Sequence, residues 1–169
     1  MEPMPYVTDI YVASQTAREL IVVDPSYKGF GIVFMIVGML FLLIGYGALY
    51  HIRTNMARPI HFLLWIIPFI AGAPFLIIGL TSMVNTHIIL SADAGTLSVK
   101  KTLLSLPVST KQYPLAQVRL IKVGVGDVCR FLYVSLDGKP AENLTGCTDR
   151  TGYSEAADAM NTFLDANRH

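Results

Sequence analysis

The sequence predicts a membrane-anchored α+β protein, in which a hairpin of two transmembrane helices precedes a small domain of antiparallel strands and one C-terminal helix. Residues 29–52 and 59–92 contain no Asp, Glu, Lys or Arg, and each run exceeds the ~20 apolar residues that cross a hydrocarbon core. Beyond residue 87, the apolar period changes from helical to alternating, which is typical of strands. A buried helical hairpin of a soluble protein is the alternative, but such helices usually carry charge on their outer face.

The composition agrees with a small integral membrane protein that has a water-soluble part. Of the 169 residues, 53% are hydrophobic and 15% are charged. The formal net charge of +1 gives no reason to expect nucleic acid as a partner. Residues 1–27 contain acidic side chains and no apolar central region, unlike a cleaved signal peptide. We therefore expect the helices themselves to drive membrane insertion.

The N-terminal segment, residues 1–28, is predicted to be a tail that ends in a short strand. Residues 6–12 show no clear period, whereas Arg18–Val23 has the β-branched content of a strand, which Asp24 and Pro25 end. Because one strand is not stable alone, we expect it to pair with strands that follow the second helix. Both flanks of the hairpin then lie on one side of the membrane.

The transmembrane hairpin, residues 29–85, is predicted to cross through Phe30–Tyr50 and Phe62–Val84. Glycines recur in both helices at heptad spacing: Gly31, Gly38, Gly45, Gly72 and Gly79. Small residues let helix backbones approach closely in lipid. We interpret the glycines as packing between the two helices, with docking onto a helix of another membrane protein as the alternative. No ionisable side chain lies deep in either span, which argues against a transport site.

The orientation in the membrane is predicted from the cysteines, because the basic residues do not decide it. Arg53 and Arg58 in the turn nearly balance the basic residues on the flanks. Two cysteines without an evident disulfide framework suit a reducing compartment. We therefore expect a multi-pass protein with both termini in the cytoplasm.

The C-terminal domain, residues 86–169, begins with a predicted hairpin. Ile88–Leu90 leads to a turn at Asp93–Gly95, and Thr96–Lys101 alternates apolar and polar residues. Residues 103–108 are predicted to continue the meander, with Pro107 confining this part to a sheet edge or a bulge. Val118–Val125 is predicted as the next strand.

The clearest strand is Phe131–Leu136, after which Asp137 and Gly138 turn the chain. Leu144 is expected to return on the face shared by Leu132. Residues 154–166 are predicted to form an amphipathic helix with one apolar stripe, capped by Thr151 or Ser154. The stripe consists of Ala156, Met160, Phe163 and Leu164. An antiparallel meander closed by one terminal helix has the strand order of a pleckstrin-homology-like barrel.

These features together resemble bacterial membrane-anchored pleckstrin-homology-like proteins and, in particular, the photosystem I assembly protein family of chloroplasts and cyanobacteria. The matching segments are Asp93-Ala94-Gly95-Thr96-Leu97, the strand 115–123, 131–138, Leu144-Thr145 and Thr148-Asp149. The resemblance implies a pleckstrin-like fold and a role in assembling or accompanying a membrane complex. It also implies location in a bacterial inner membrane or a photosynthetic membrane.

Cys129 and Cys147 fall nearly opposite each other on adjacent predicted strands if the turn at Asp137 is short. Opposed Cβ atoms on neighbouring strands approach closely enough for a disulfide. In a cytoplasmic domain, two separate buried thiols are the preferred interpretation.

No catalytic constellation and no metal-ligand spacing occurs in the sequence. We therefore expect no enzymatic activity, no cofactor and no metal. The leading hypothesis is a scaffold, accessory subunit or assembly factor that binds other membrane protein subunits and the lipid bilayer. The exposed edge around Lys100 to Lys111 is its predicted partner contact outside the membrane. A membrane-anchored module that senses lipid headgroups through Lys100, Lys101 and Lys111 is the second hypothesis; a solvated strand face is the simpler interpretation of these lysines. An enzyme or a transporter ranks third.

Overall fold

A computed structural model of the protein describes residues 9–55 and 59–167. The predicted tail up to Thr8 and the turn residues 56–58 lie outside the described residues. The chain divides into two compact units. One unit comprises the described residues 9–26 together with 85–167, and the other comprises 27–84. We call them the sheet unit and the helical unit. Where the sequence suggested three consecutive segments, the structure groups the N-terminal and C-terminal segments into one discontinuous unit.

The elements follow one another along the chain in this order. They are β1 (Tyr11–Gln15), β2 (Glu19–Asp24), α1 (Lys28–Asn55), α2 (Pro59–Ser82), β3 (Val84–Ser91), β4 (Thr96–Leu103), β5 (Leu106–Pro114), a 3₁₀ turn (Leu115–Gln117), β6 (Val118–Val125), β7 (Arg130–Leu136), β8 (Lys139–Asn143) and α3 (Tyr153–Ala166). The sheet unit is therefore an α+β domain with a C-terminal helix, as the sequence predicted.

The helical unit consists of α1 and α2, which pack against each other as an antiparallel pair. Of the described residues, one stretch is long and apolar enough to cross a membrane by length and composition, namely Lys28–Gly47 in α1. The corresponding apolar stretch of α2, Ile66–Ser82, is shorter. One membrane-spanning candidate is found where the sequence predicted two.

The sheet unit contains two antiparallel sheets. Five strands form the first in the order β1-β2-β3-β4-β5, and three strands form the second in the order β6-β7-β8. The expected pairing of β2 with a strand beyond the helices is confirmed, because Leu20 lies opposite Leu90 and Asp24 opposite Thr86. Strands before and after the two helices therefore build one sheet, and the helical unit is an insertion between two neighbouring strands.

Strand β1 was not predicted from the sequence. It pairs with β2 through a register shift between Val12 and Ser14. Val12 alone among its residues is half-buried, and the others are exposed. An edge strand that has a bulge and only one inward side chain shows no alternation of apolar and polar residues in its sequence.

Pro107 lies at a sheet edge and beside a bulge, as predicted. It belongs to β5, the last strand of the five-stranded sheet, where the register with β4 shifts between Lys101 and Thr102. A proline cannot donate to the ladder, so an edge or a bulge accommodates it.

Helix α3 buries the predicted stripe in the core of the sheet unit. Ala156, Met160, Phe163 and Leu164 are all at most 4% exposed, in contact with a core that includes Leu20, Ile88, Leu97, Ile121, Leu132 and Leu144. Leu132 and Leu144 are both fully buried, as their predicted common face requires.

The predicted N-cap of α3 is wrong. The cap is Gly152 rather than Thr151 or Ser154, and no side chain caps the helix. Gly152 has φ 84°, and a Cβ there would overlap the carbonyl oxygen of Ile10. Only glycine satisfies both the left-handed backbone and this close approach.

Candidate functional site

The five predicted seam glycines lie between α1 and α2. A Cβ on Gly38 would be 2.7 Å from Leu76 Cγ and 3.1 Å from the carbonyl oxygen of Gly72. One on Gly79 would be 2.9 Å from the carbonyl oxygen of Gly31. A Cβ on Gly45 would be 2.7 Å from Cε2 of the Phe69 ring. The two helices approach closely at these positions, because glycine has no side chain to keep the backbones apart.

All five glycines are buried within the helix pair. The seam that docking onto another protein would require is therefore already filled by the chain's own second helix. Phe75 extends the contact, since its ring lies 5.6 Å from that of Phe34 and 5.8 Å from that of Phe41. The structure favours packing inside the hairpin over docking of a partner along these glycines.

The outward surface of α1 is apolar and exposed. Ile36 and Leu40 are 55% and 53% exposed, and Leu43 and Ile44 are 62% and 60% exposed. The core helix of a soluble protein would bury such side chains. A continuous row of exposed apolar side chains marks a surface that meets lipid or another protein.

A buried ion pair joins the end of β2 to the loop before α3. Nη1 of Arg150 donates to Asp24 Oδ1 at 2.6 Å and also to the carbonyl oxygen of Pro25. Both charged side chains are less than a tenth exposed. Removing either partner would leave the other charge buried without compensation. The pair fixes the point at which the chain leaves the sheet unit for α1.

Burial raises the pKa of Asp24 above its ordinary value, because the carboxylate loses hydration. The Arg150 guanidinium opposes this shift through its charge and its hydrogen bond, and Lys101 opposes it through charge. Burial is the larger effect.

The three lysines predicted as lipid or partner contacts do not form one patch. In the register of β4 and β5, Lys100 lies opposite Thr110, and Lys101 opposite Ser109. Lys111 lies opposite Val99, so it shares the face of Lys101 rather than that of Lys100. Lys100 is exposed, whereas Lys101 is half-buried.

Lys111 is already engaged by a carboxylate. Its Nζ lies 2.8 Å from Glu142 Oε2, which also accepts a hydrogen bond from the Tyr113 hydroxyl at 2.8 Å. The hydrogen bond from Lys111 is the main reason that the pKa of Glu142 is lowered. These bonds link β5 to β8, the edge strands of the two sheets. Lys111 is therefore a poor candidate for binding a lipid phosphate.

Cys129 and Cys147 form a disulfide, with Cα atoms 5.3 Å apart. The preference for two separate buried thiols is therefore wrong, and Cys147 is in fact exposed. The bond follows from the predicted placement of the two residues opposite each other on adjacent segments. Closing a loop of 18 residues is expected to stabilise the sheet unit by about 3 kcal/mol.

Two of these contacts had no signal in the sequence. Asp24 and Arg150 are 126 positions apart, and Asp24 looked like a strand terminator. Glu142 and Lys111 lie on strands of different sheets. In the part of the chain that the structure describes, no three His, Cys, Asp or Glu side chains are grouped so as to hold a metal ion.

Comparison of the sequence with known proteins adds no family. No model of a known protein family matches the chain, and no curated protein matches it.

Proposed function

We propose that the protein is a non-enzymatic membrane scaffold, in which a two-helix hairpin anchors an interaction module that accompanies or helps to assemble another membrane protein complex. The module is the sheet unit, with the strand order of a pleckstrin-homology-like barrel. The partner is another membrane protein subunit, in a respiratory or photosynthetic membrane. The main support for the membrane anchor is the exposed apolar surface of α1. The glycines on the opposite side of this helix are buried against α2.

The pairing of β2 with β3 supports two crossings rather than one. The two strands are neighbours in one sheet, so the chain must return to the side that it left. If α1 crosses the membrane, α2 must cross back. With 24 residues at about 1.5 Å rise per residue, α2 is about 36 Å long, enough to span the ~30 Å hydrocarbon core.

The disulfide changes the proposed orientation. Disulfides persist in oxidising compartments and are rare in the cytosol. We therefore place the sheet unit, and with it both termini, on the oxidising side of the membrane. This replaces the cytoplasmic position expected from the cysteine count.

The outer edge of β5, on the side away from β4, is the proposed surface for the protein partner. This strand ends the five-stranded sheet, and all of its residues except Tyr113 are exposed. An exposed edge presents unpaired backbone groups to which an extended segment of another chain can add.

Cysteine labelling with a membrane-impermeant maleimide tests the anchor. We expect Ala116→Cys, in the 3₁₀ turn, to react in intact cells, and Asn55→Cys, at the end of α1, to react only after permeabilisation. The native cysteines are bonded to each other and do not compete. Reaction of both positions from one side would mean that α2 does not cross. The reverse pattern would place the sheet unit in the cytoplasm.

Gentle detergent extraction from the native membrane, followed by sizing and mass spectrometry, tests the scaffold function. We expect the chain to migrate with a larger complex of defined composition. A negative charge introduced on β5 by Thr110→Glu should release the chain from the complex, whereas Glu155→Gln, at an exposed position of α3, should not. If both the native chain and the variants migrated without any other protein, the proposal would be contradicted.

A further inference from the structure

The tip of the β4–β5 hairpin exposes a cluster of apolar side chains, which we call the apolar tip. Leu104, Leu106 and Val108 are 62%, 70% and 61% exposed. Leu104 and Ser105 form the turn with φ 49° and 71°. Tight hairpin turns with positive φ at both central residues favour Asn-Gly. A leucine in this backbone conformation, without burial in the core, has no structural explanation within the sheet unit.

The hairpin that carries the apolar tip is basic. No Asp or Glu occurs between Asp93 and Asp127, a stretch that includes both strands of the hairpin. Lys100 is exposed on β4, and Lys101 lies one residue closer to the tip. An apolar end with basic residues behind it is complementary to a bilayer whose headgroups are anionic.

The apolar tip lies at the end of the sheet from which the chain leaves for the helices. β2 ends and β3 begins at this end, because the two are antiparallel and Asp24 pairs with Thr86. Four residues connect β3 to its neighbour β4, so these strands are antiparallel and β4 ends there too. Three residues join β2 to α1, and Met83 alone joins α2 to β3.

We infer that the apolar tip inserts among the headgroups of the bilayer that the helices span, with Lys100 facing anionic lipid phosphates. The inference rests on the proposed anchor, since the short connections hold this end of the sheet near the membrane only if α1 and α2 cross it. The anchor makes insertion effectively intramolecular, so a small tip suffices. Insertion at this point would orient the outer edge of β5 relative to the membrane surface.

The test uses the full chain reconstituted in vesicles of equal parts phosphatidylcholine and phosphatidylglycerol. An environment-sensitive fluorophore is attached at Ser105→Cys in the tip, Ala116→Cys at the other end of β5, or Leu40→Cys on the outward face of α1. Spin-labelled lipids then quench fluorophores that are in contact with the bilayer. We expect several-fold stronger quenching and a blue-shifted emission at position 105 than at 116.

A matched variant tests the role of the leucines. Leu104→Asn suits the left-handed turn, and together with Leu106→Ser it removes apolar surface without disturbing the core. In a chain with Ser105→Cys, this change should reduce quenching at the tip to the level of position 116. The Leu40→Cys signal should not change.

The Leu40→Cys fluorophore separates failure of this inference from failure of the anchor. Quenching at 40 without quenching at 105 would overturn insertion of the tip and leave the anchor intact. No quenching at 40 would overturn both. If position 105 is exposed in pure lipid but protected in native membranes, the apolar tip binds a protein, which also overturns the inference.

Discussion

Replacing Arg150 by methionine should lower the free energy of unfolding of the sheet unit by about 3–5 kcal/mol near neutral pH. The change leaves the Asp24 carboxylate buried without its partner, and the carbonyl of Pro25 loses a donor. Urea unfolding of the full chain in mild detergent, followed by hydrogen exchange at the core amides of β3, measures the loss.

A surface pair provides the control for this prediction. Arg119 is paired with Asp137, but the Arg119 side chain is 71% exposed, so Arg119→Ala should cost at most about 1 kcal/mol. The double variant Asp24→Leu with Arg150→Met should recover most of the loss, because both charges are then gone. An equal cost for the exposed and buried arginines would mean that the buried pair does not form.

The effect of Arg150→Met should depend on pH. The raised pKa of Asp24 means that the folded state binds this proton more tightly than the unfolded state. The contribution of Asp24 to stability is therefore greatest below its unfolded pKa of about 3.9 and falls as pH rises through the folded pKa. Without the guanidinium, which lowers the Asp24 pKa, that pKa should rise further. The loss of unfolding free energy caused by Arg150→Met should then be smaller near pH 5 than near pH 8.

Replacing Gly38 by leucine should separate α1 from α2 or force the two helices to shift. The free energy of unfolding of the helix pair should fall by about 1–3 kcal/mol. The new Cβ would meet both the Leu76 side chain and the backbone oxygen of Gly72, and a backbone atom cannot move aside as a flexible side chain can. Titration with a denaturing detergent, followed through the fluorescence of the single tryptophan, Trp65, measures the resistance of the helix pair to unfolding.

Gly47→Leu is the matched control, because it introduces the same side chain into the same helix. A Cβ on Gly47 meets nothing within 4 Å, so the change should be neutral or slightly stabilising through helix propensity. If the two variants unfolded at the same concentration of denaturing detergent, close packing of α1 and α2 at Gly38 would be contradicted. Folding of the sheet unit, followed by hydrogen exchange in β7, should be unaffected by either change.

Much of the fold could be predicted from local patterns in the sequence. A long stretch without charge and rich in apolar residues predicts a long apolar helix, and α1 lies there. β7 shows the clearest alternation, because every second side chain of this strand lies in the core, whereas β6 was placed although its alternation is imperfect. The stripe of α3 has helical spacing for the same reason.

The parts that could not be predicted lack such a local pattern. β1 has one inward side chain, so nothing in its sequence distinguishes it from a loop. The N-cap of α3 must be a glycine because the carbonyl oxygen of Ile10 lies close to it in space. Ile10 is more than 140 positions away in the sequence. Position within a local pattern indicates which face a residue occupies, but not which distant residue meets it.

The candidate sites divide in the same way. The glycine spacing by itself identified the seam, because close helix approach imposes a repeat on the sequence. Only the tertiary structure decided three further points. These are that the seam faces the second helix of this chain, that the two cysteines form a disulfide, and that Lys111 is paired. Asp24 meets Arg150, and Lys111 meets Glu142, through contacts between strands and loops distant in sequence. Such contacts depend on the arrangement of the whole sheet unit, and no periodicity of a single segment records them.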